Sequence, residues 1–259
     1  MKNLKLKIKY MSDNHQEFGS HFPEYYSKDT NLYNIFVIAG DFSNFNSPIL
    51  LKELAELIAP KPLLYVTGNH DYYHSNRVAV DKNFKMLDEE VENFHFLNHN
   101  VLNFMGVNFI GCTGWQNIEG YNSYDHPIND FNLISDHPKN IHRWGKEDHE
   151  FLESSLKEYK NTPMVIVTHV PPISDCVDKT DSYFNDTRKM ADSYHNNYEN
   201  LIIEYKPILW IHGHMHNAYH EKFHKTMITR NPFGYMHYKK RKNAKFDLNR
   251  VININVKEK

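Results

Sequence analysis

The 259-residue chain has only two cysteines, Cys112 and Cys176. Two thiols cannot staple a chain of this length, so a disulfide framework is excluded and a reducing compartment is expected. No run approaches the ~20 consecutive apolar residues that a membrane span requires. The opening segment MKNLKLKIKY alternates lysine with apolar residues and offers no continuous apolar stretch. Membrane insertion and export by a standard signal are therefore not expected, and a cytoplasmic location is. Neither sign of charge dominates, with 30 Lys+Arg against 32 Asp+Glu and a formal net charge of −2. A dedicated nucleic-acid binder carries a basic excess, so this balance argues against one. No repeat, low-complexity tract or Gly/Ser linker divides the chain, and residues 1–259 read as one domain with apolar content sufficient for a core. Against these shortages stand 18 histidines, more than either the 10 glycines or the 11 prolines.

Four short apolar runs organise the chain: Ile35 to Ala39, Leu63 to Val66, Met164 to Val167 and Ile208 to Ile211. They are rich in β-branched and aromatic residues and too short for helices, so they read as central strands covered on both faces. Leu4 to Tyr10, Val107 to Cys112, Thr226 to Arg230 and Arg250 to Val256 are further strand candidates. The first of these alternates Leu4, Leu6, Ile8 and Tyr10 with lysines, the pattern of a half-exposed strand. Helical stripes occupy Pro48 to Ala59 (Leu50, Leu51, Leu54, Leu57, Ile58), Lys146 to Tyr159 and Tyr194 to Tyr205. Strands alternating with helices predict a layered α/β domain. Trp115 to Arg143 and Pro171 to Asp192 are polar, aromatic and irregular, and read as long functional loops.

Each central run ends in potential metal ligands: Gly40-Asp41, Gly68-Asn69-His70-Asp71, Thr168-His169 and His212-Gly213-His214-Met215-His216. Upstream, the N-terminal strand ends in Asp13-Asn14-His15. Taken singly, most of these have an ordinary reading as a turn, a solvated strand end or a satisfied histidine. Gly213-His214-x-His216 is the most specific, because residues i and i+2 of an extended segment point the same way. Together they matter more, since ligands of α/β sheets bind beyond the carboxyl ends of the strands. Imidazole and carboxylate donors suit Mn, Fe or Zn, and no cysteine cluster suggests a soft thiolate site.

In order and spacing these five blocks resemble the signature of the calcineurin-like metallophosphoesterases, and the likeness continues into Asn231-Pro232-x-Gly234-Tyr235. The resemblance implies a four-layer α-β-β-α sandwich of two mixed sheets with a dinuclear metal site at the strand ends. Carried across by position, one divalent ion takes Asp13, His15, Asp41 and His216. The other takes Asp41, Asn69, His169 and His214, with Asp41 bridging, while His70 meets the leaving group. Mn²⁺ is the first expectation for both ions, with Fe or Zn as alternatives. Such a pair can lower the pKa of bound water to about 7 and clamp a phosphoryl group for in-line attack by hydroxide. The implied activity is hydrolysis of a small phosphate mono- or diester. A nuclease with the same metals and a non-catalytic metal-binding scaffold are the competing readings, the latter weakened because no ligand is missing.

One position departs from the family pattern. The block often reads Gly-Asp-x-x-Asp, with the second Asp orienting the catalytic His, whereas here it reads Gly40-Asp41-Phe42-Ser43-Asn44. Asn44 supplies no charge to His70, so either the acid is weak or Asp71, or a residue distant in sequence, takes over. Arg143, Lys179 and Arg188 are candidates for a substrate phosphate but read first as solvated charges. Trp115, Tyr121 and Tyr124 read as loop packing, and Cys112 as a buried small residue. His212 either supports a ligand or faces away. His95, His99, His220, His224 and His237 have no partner at ligand spacing and read as structural or exposed.

Overall fold

A computed structural model of the chain describes residues 3–19, 23–44, 46–116, 128–177, 194–235 and 245–257. The first sheet runs in the order β11 (Val251–Lys257), β1 (Asn3–Met11), β2 (Ile35–Ala39), β3 (Leu63–Val66), β4 (Phe94–Phe96), and only β11 is antiparallel. The second runs β5 (Asn100–Phe104), β6 (Val107–Gly111), β7 (Met164–Val167), β8 (Leu209–Ile211), β10 (Thr226–Arg230), β9 (Tyr219–Phe223). Its outer strands β5 and β9 pair antiparallel, and the inner four are parallel.

Period-two alternation builds the layers. Leu6, Ile8, Tyr10, Ile35, Val37, Ala39, Leu64 and Val66 face Val107, Phe109, Val165, Val167, Leu209 and Ile211 across the interior of the sandwich. The alternate residues Phe36, Ile38, Leu63 and Tyr65 turn outward beneath α2 (Ser47–Ile58) and α3 (Arg77–Glu90). On the other side Ile110, Ile166 and Trp210 meet α5 (His137–Tyr159) and α6 (Glu199–Tyr205). Two mixed sheets between helices make the α/β sandwich expected from the sequence. No helix among the described residues is long and apolar enough to cross a membrane.

Several local expectations change. α5 begins at His137, inside the stretch read as loop, and the four-residue helix α4 (Asp130–Leu133) precedes it. α6 starts at Glu199, five residues later than the stripe suggests. Leu57 is 47% exposed while Ala55 is buried, so the buried stripe of α2 is Leu51, Leu54, Ala55 and Ile58, shifted by a small fraction of a turn from the one expected. β1 is not half-exposed along its length, because Lys9 is 1% exposed. Its ammonium donates to the Tyr26 carbonyl at 2.7 Å and lies over the Phe36 and Tyr33 rings at 4.8 and 5.4 Å.

Burial pushes the Lys9 ammonium down to about 8, against a smaller upward pull from Asp29. Between that value and the ordinary 10.5 the unfolded chain binds the extra proton, so stability rises with pH across this window. Relative to Lys9→Met, wild type should gain about 2 kcal/mol between pH 7 and 9.5, since one unit is worth ~1.36 kcal/mol. Urea unfolding of both proteins at the two pH values reads the difference directly, and parallel slopes would refute the assignment.

Candidate functional site

The parallel strands of both sheets end on one side of the molecule, and the chain leaves them abruptly. Asp13 and His15 follow β1, Asp41 follows β2, Asn69 and His70 follow β3, His169 follows β7, and His214 and His216 follow β8. Asp13, His15, Asp41 and His214 have φ of 53°, 46°, 55° and 69°. Asp and His are enriched in this left-handed region, but each residue there still costs ~1 kcal/mol or more. Neighbouring hydrogen bonds hold the turns: Asp13 N–H donates to the Gly40 carbonyl at 3.1 Å and His15 N–H to the Asp41 carbonyl at 3.0 Å. Strain of this kind gathers at functional sites. Gly68 is fixed by space, since a Cβ there would fall 2.1 Å from Asp41 Oδ1.

The seven side chains read as ligands lie together. His216 Nε2 is 3.6 Å from Asp13 Oδ1 and 3.1 Å from His15 Nε2. Asp41 Oδ2 stands between two groups, 3.8 Å from His15 Nε2 and 3.3 Å from His169 Nε2. His169 Nε2 lies 3.1 Å from Asn69 Oδ1, and His214 Nδ1 lies 3.2 Å from that oxygen and 3.3 Å from His169 Nε2. Donors bound at ~2.1 Å to one tetrahedral or octahedral cation sit about 3.0–3.4 Å apart, which five of these separations match, while His216 to Asp13 at 3.6 Å and His15 to Asp41 at 3.8 Å are wider. Among the described residues, three triples could each hold an ion: Asp13, His15 and His216; Asp13, Asp41 and His169; and His15, Asp41 and His70.

The donor set itself calls for a cation. His169 Nδ1 lies 2.9 Å from the Ala39 carbonyl, which can only accept, so this nitrogen carries the proton. In the neutral ring Nε2 is then a lone pair facing the Asp41 carboxylate and the Asn69 amide oxygen. The orientation of Asn69 is equally fixed, because its Nδ2 donates to Asp130 Oδ1 at 2.8 Å and to Tyr73 OH at 3.1 Å. Tyr73 OH also donates to Asp130 Oδ1 at 2.8 Å. Acceptors therefore converge on one point, and a divalent cation satisfies them all. In the protein alone, burial opposes charge on His169, yet Asp41 overcomes it and raises the ring to about 9. Burial, then the His169 charge, pushes His214 down to about 4. Asp41 is held well below the carboxylate range: burial pushes it up, and the His169, His70 and His15 imidazoles outweigh that.

His70 lies beside this group. Its Nδ1 is 3.0 Å from Glu17 Oε1 and its Nε2 is 3.3 Å from Tyr235 OH, with the Tyr73 ring stacked on it at 4.2 Å. Asn44 keeps to its own turn, accepting from Ser47 N–H and from Asn46 N–H. Asp71 does not meet His70 either. It accepts from Gly68 N–H, Asp41 N–H, Ser47 OH and Tyr65 OH, and so shapes the two loops. Of the alternatives raised by Asn44, the distant residue is the one at hand. Glu17 and Asp130 carried no signal beyond being single acidic residues, although Glu17 stands two residues after His15.

The remaining candidates fall elsewhere. Arg143 is on α5, exposed and 3.5 Å from Glu147. Trp115 packs in the core against Tyr72 and Trp144, and Cys112 is buried. His212 is buried with Nδ1 on the Gly213 carbonyl. His99 pairs with Asp148, His95 lies 3.9 Å from Asp88, His220 lies 3.0 Å from Thr229 Oγ1, and His224 is exposed. Tyr121, Tyr124, Lys179, Arg188 and His237 lie outside the described residues.

Comparison with known proteins agrees with this geometry. The family model of the calcineurin-like phosphoesterases matches residues 6–218. An uncharacterised protein, L509, of Acanthamoeba polyphaga mimivirus is 27% identical over 237 residues, 82% of each chain. The phosphopantetheinyl hydrolase of Mycobacterium tuberculosis superposes with a TM-score of 0.72 at 15% identity, covering 97% of this chain and 96% of its own. GAP50, described as the anchor in the inner membrane complex of Plasmodium, gives 0.53 at 17% identity over 93% of this chain and 76% of its own. At these identities the two solved structures share the fold.

Proposed function

The chain belongs to the calcineurin-like phosphoesterase family, and on that premise we propose that it hydrolyses small phosphate mono- or diesters with two divalent transition-metal ions, Mn²⁺ first and Fe or Zn as alternatives. The observation that carries this reading is the Asp41 carboxylate, within 3.8 Å of His15 and 3.3 Å of His169. Asp13, His15, Asp41 and His216 would hold one ion, and Asp41, Asn69, His169 and His214 the other. Bound there, such a pair acidifies water and withdraws charge from phosphoryl oxygens. His70, whose Nδ1 lies on Glu17, would present Nε2 with a proton for the leaving oxygen. The buried free thiols Cys112 and Cys176 fit a reducing cytoplasm.

The fold alone does not separate an enzyme from an anchor; the complete donor set supports the enzyme, and turnover tests it. Protein loaded with excess Mn²⁺ and desalted should retain two ions per chain by elemental analysis. It should turn over at least one of a panel of aryl and alkyl mono- and diesters, a phosphopantetheinyl ester among them. Two bound ions without turnover would favour the scaffold, and one ion or none would refute the dinuclear reading. Support behind the ligands is measurable too. Removing such support typically costs 10–100-fold in metal affinity, so Asp130→Ala, which frees the Asn69 amide, should weaken one Mn²⁺ site by about that factor in calorimetry and spare the other. Unchanged affinity at both sites would contradict it.

A further inference from the structure

We propose that Glu17 is the positioning residue of His70, and that the same carboxylate oxygen also sets His15. The inference rests on the role given to His70 above. Glu17 Oε1 lies 3.0 Å from His70 Nδ1 and 3.1 Å from His15 Nδ1, between rings whose centroids are 4.4 Å apart and tilted by 73°. The carboxylate is only 10% exposed, and its second oxygen, Oε2, is buried with no hydrogen-bond partner among the described residues. A buried carboxylate is retained only where it is paired, and the two imidazoles are the partners it has here. Asn44, at the position where the family often carries an aspartate, keeps its hydrogen bonds within residues 44–47.

A carboxylate on Nδ1 fixes which nitrogen carries the proton and which way the ring faces. With both Nδ1 atoms on Glu17, His15 presents Nε2 toward Asp41 and His216, and His70 presents Nε2 toward the Tyr235 hydroxyl. One side chain thereby couples a metal-holding ring to the leaving-group ring. The one-turn helix Gln16–Phe18 that carries Glu17 follows His15 directly, so the coupling is local in sequence to the first metal block.

The test uses Mn²⁺-loaded wild type, Glu17→Ala, Glu17→Gln, His70→Ala and the Glu17→Ala/His70→Ala double variant, on an alkyl ester and a p-nitrophenyl ester. A placed histidine acid typically contributes 10²–10⁴-fold, so Glu17→Ala should lower kcat on the alkyl ester by about 10²-fold and on the aryl ester by less than about 5-fold, with KM nearly unchanged. Glu17→Gln, which keeps an acceptor, should fall between. With Mn²⁺ held at saturation, so that any loosening of His15 does not cost an ion, the double variant should match His70→Ala, because residues acting as one unit are not additive. Asn44→Asp should leave both rates as they are. Independently of turnover, ¹⁵N-histidine NMR of the metal-free protein should show two rings protonated at Nδ1 that change tautomer in Glu17→Ala. Multiplying losses in the double variant, or unchanged tautomers, would overturn the proposal. If wild type binds two ions yet cleaves neither ester, the phosphoesterase reading fails, and the tautomer measurement alone decides for or against Glu17.

Discussion

Asp41→Asn is expected to empty the centre of both ions at once. The substitution keeps the side-chain volume and removes the charge of the carboxylate whose Oδ2 stands between His15 and His169. The two histidines after β8 each serve one group: His216 lies beside Asp13 and His15, and His214 beside Asn69 and His169. His216→Ala should therefore cost one ion and Asp41→Asn two. An amide cannot reproduce a carboxylate shared between two divalent cations, so turnover should fall by at least about 10³-fold, more than a single lost hydrogen-bond donor costs. Elemental analysis of desalted protein supplies the readout. Retention of both ions would remove Asp41 from the bridging position.

The second large effect concerns His70→Ala, which should leave metal content unchanged and strike the chemistry. Loss of a placed acid is expected to lower kcat on an alkyl ester by 10²–10⁴-fold, where the leaving oxygen needs a proton. A p-nitrophenyl ester, whose anion is already stable, should lose far less. Asn44 alone would imply the reverse, a poorly supported histidine and hence a preference for esters with stable leaving groups. Glu17 changes that, because its carboxylate lies 3.0 Å from His70 Nδ1 and a carboxylate there favours the protonated ring. Wild type should thus work on alkyl esters, and equal losses on both esters in His70→Ala would place His70 elsewhere in the mechanism.

What the sequence could show and what it could not follow from how far each signal reaches. The central strands are legible because Ile35–Ala39 and Met164–Val167 are apolar on both faces, which only a strand between two layers requires. The candidate ligands are legible because each is a specific residue at a strand end. Glu17 and Asp130 are not, since Glu17 meets His70 across 53 residues and Asp130 meets Asn69 across 61, with no periodicity to connect them. α3 is obscured for a different reason: its buried residues Val80, Phe84 and Leu87 keep helical spacing, but they are few in RVAVDKNFKMLDEE and the exposed Val78 and Met86 blur the stripe. The N-terminal half of α5 hides likewise, because Ile141 and Trp144 stand among polar residues and the buried His137 is itself polar. Lys9 misleads because a lysine stem can be buried while its ammonium finds a carbonyl and two rings.

The candidate centre is also a seam, with Asp13, His15, Asp41 and Asn69 supplied by one sheet and His169, His214 and His216 by the other. Only the assembled chain presents all seven, so ions held there are lost whenever the sheets part. Each ion then adds to the free energy of unfolding, by ~2.7 kcal/mol at a free concentration a hundredfold above its dissociation constant. Two such ions amount to a substantial share of the ~5–15 kcal/mol that keeps an ordinary domain folded. Metal supply would then govern the lifetime of the protein as well as its rate. Under scarcity a cell would hold fewer copies, cleared by its proteases, and the drop in abundance would deepen the drop in turnover.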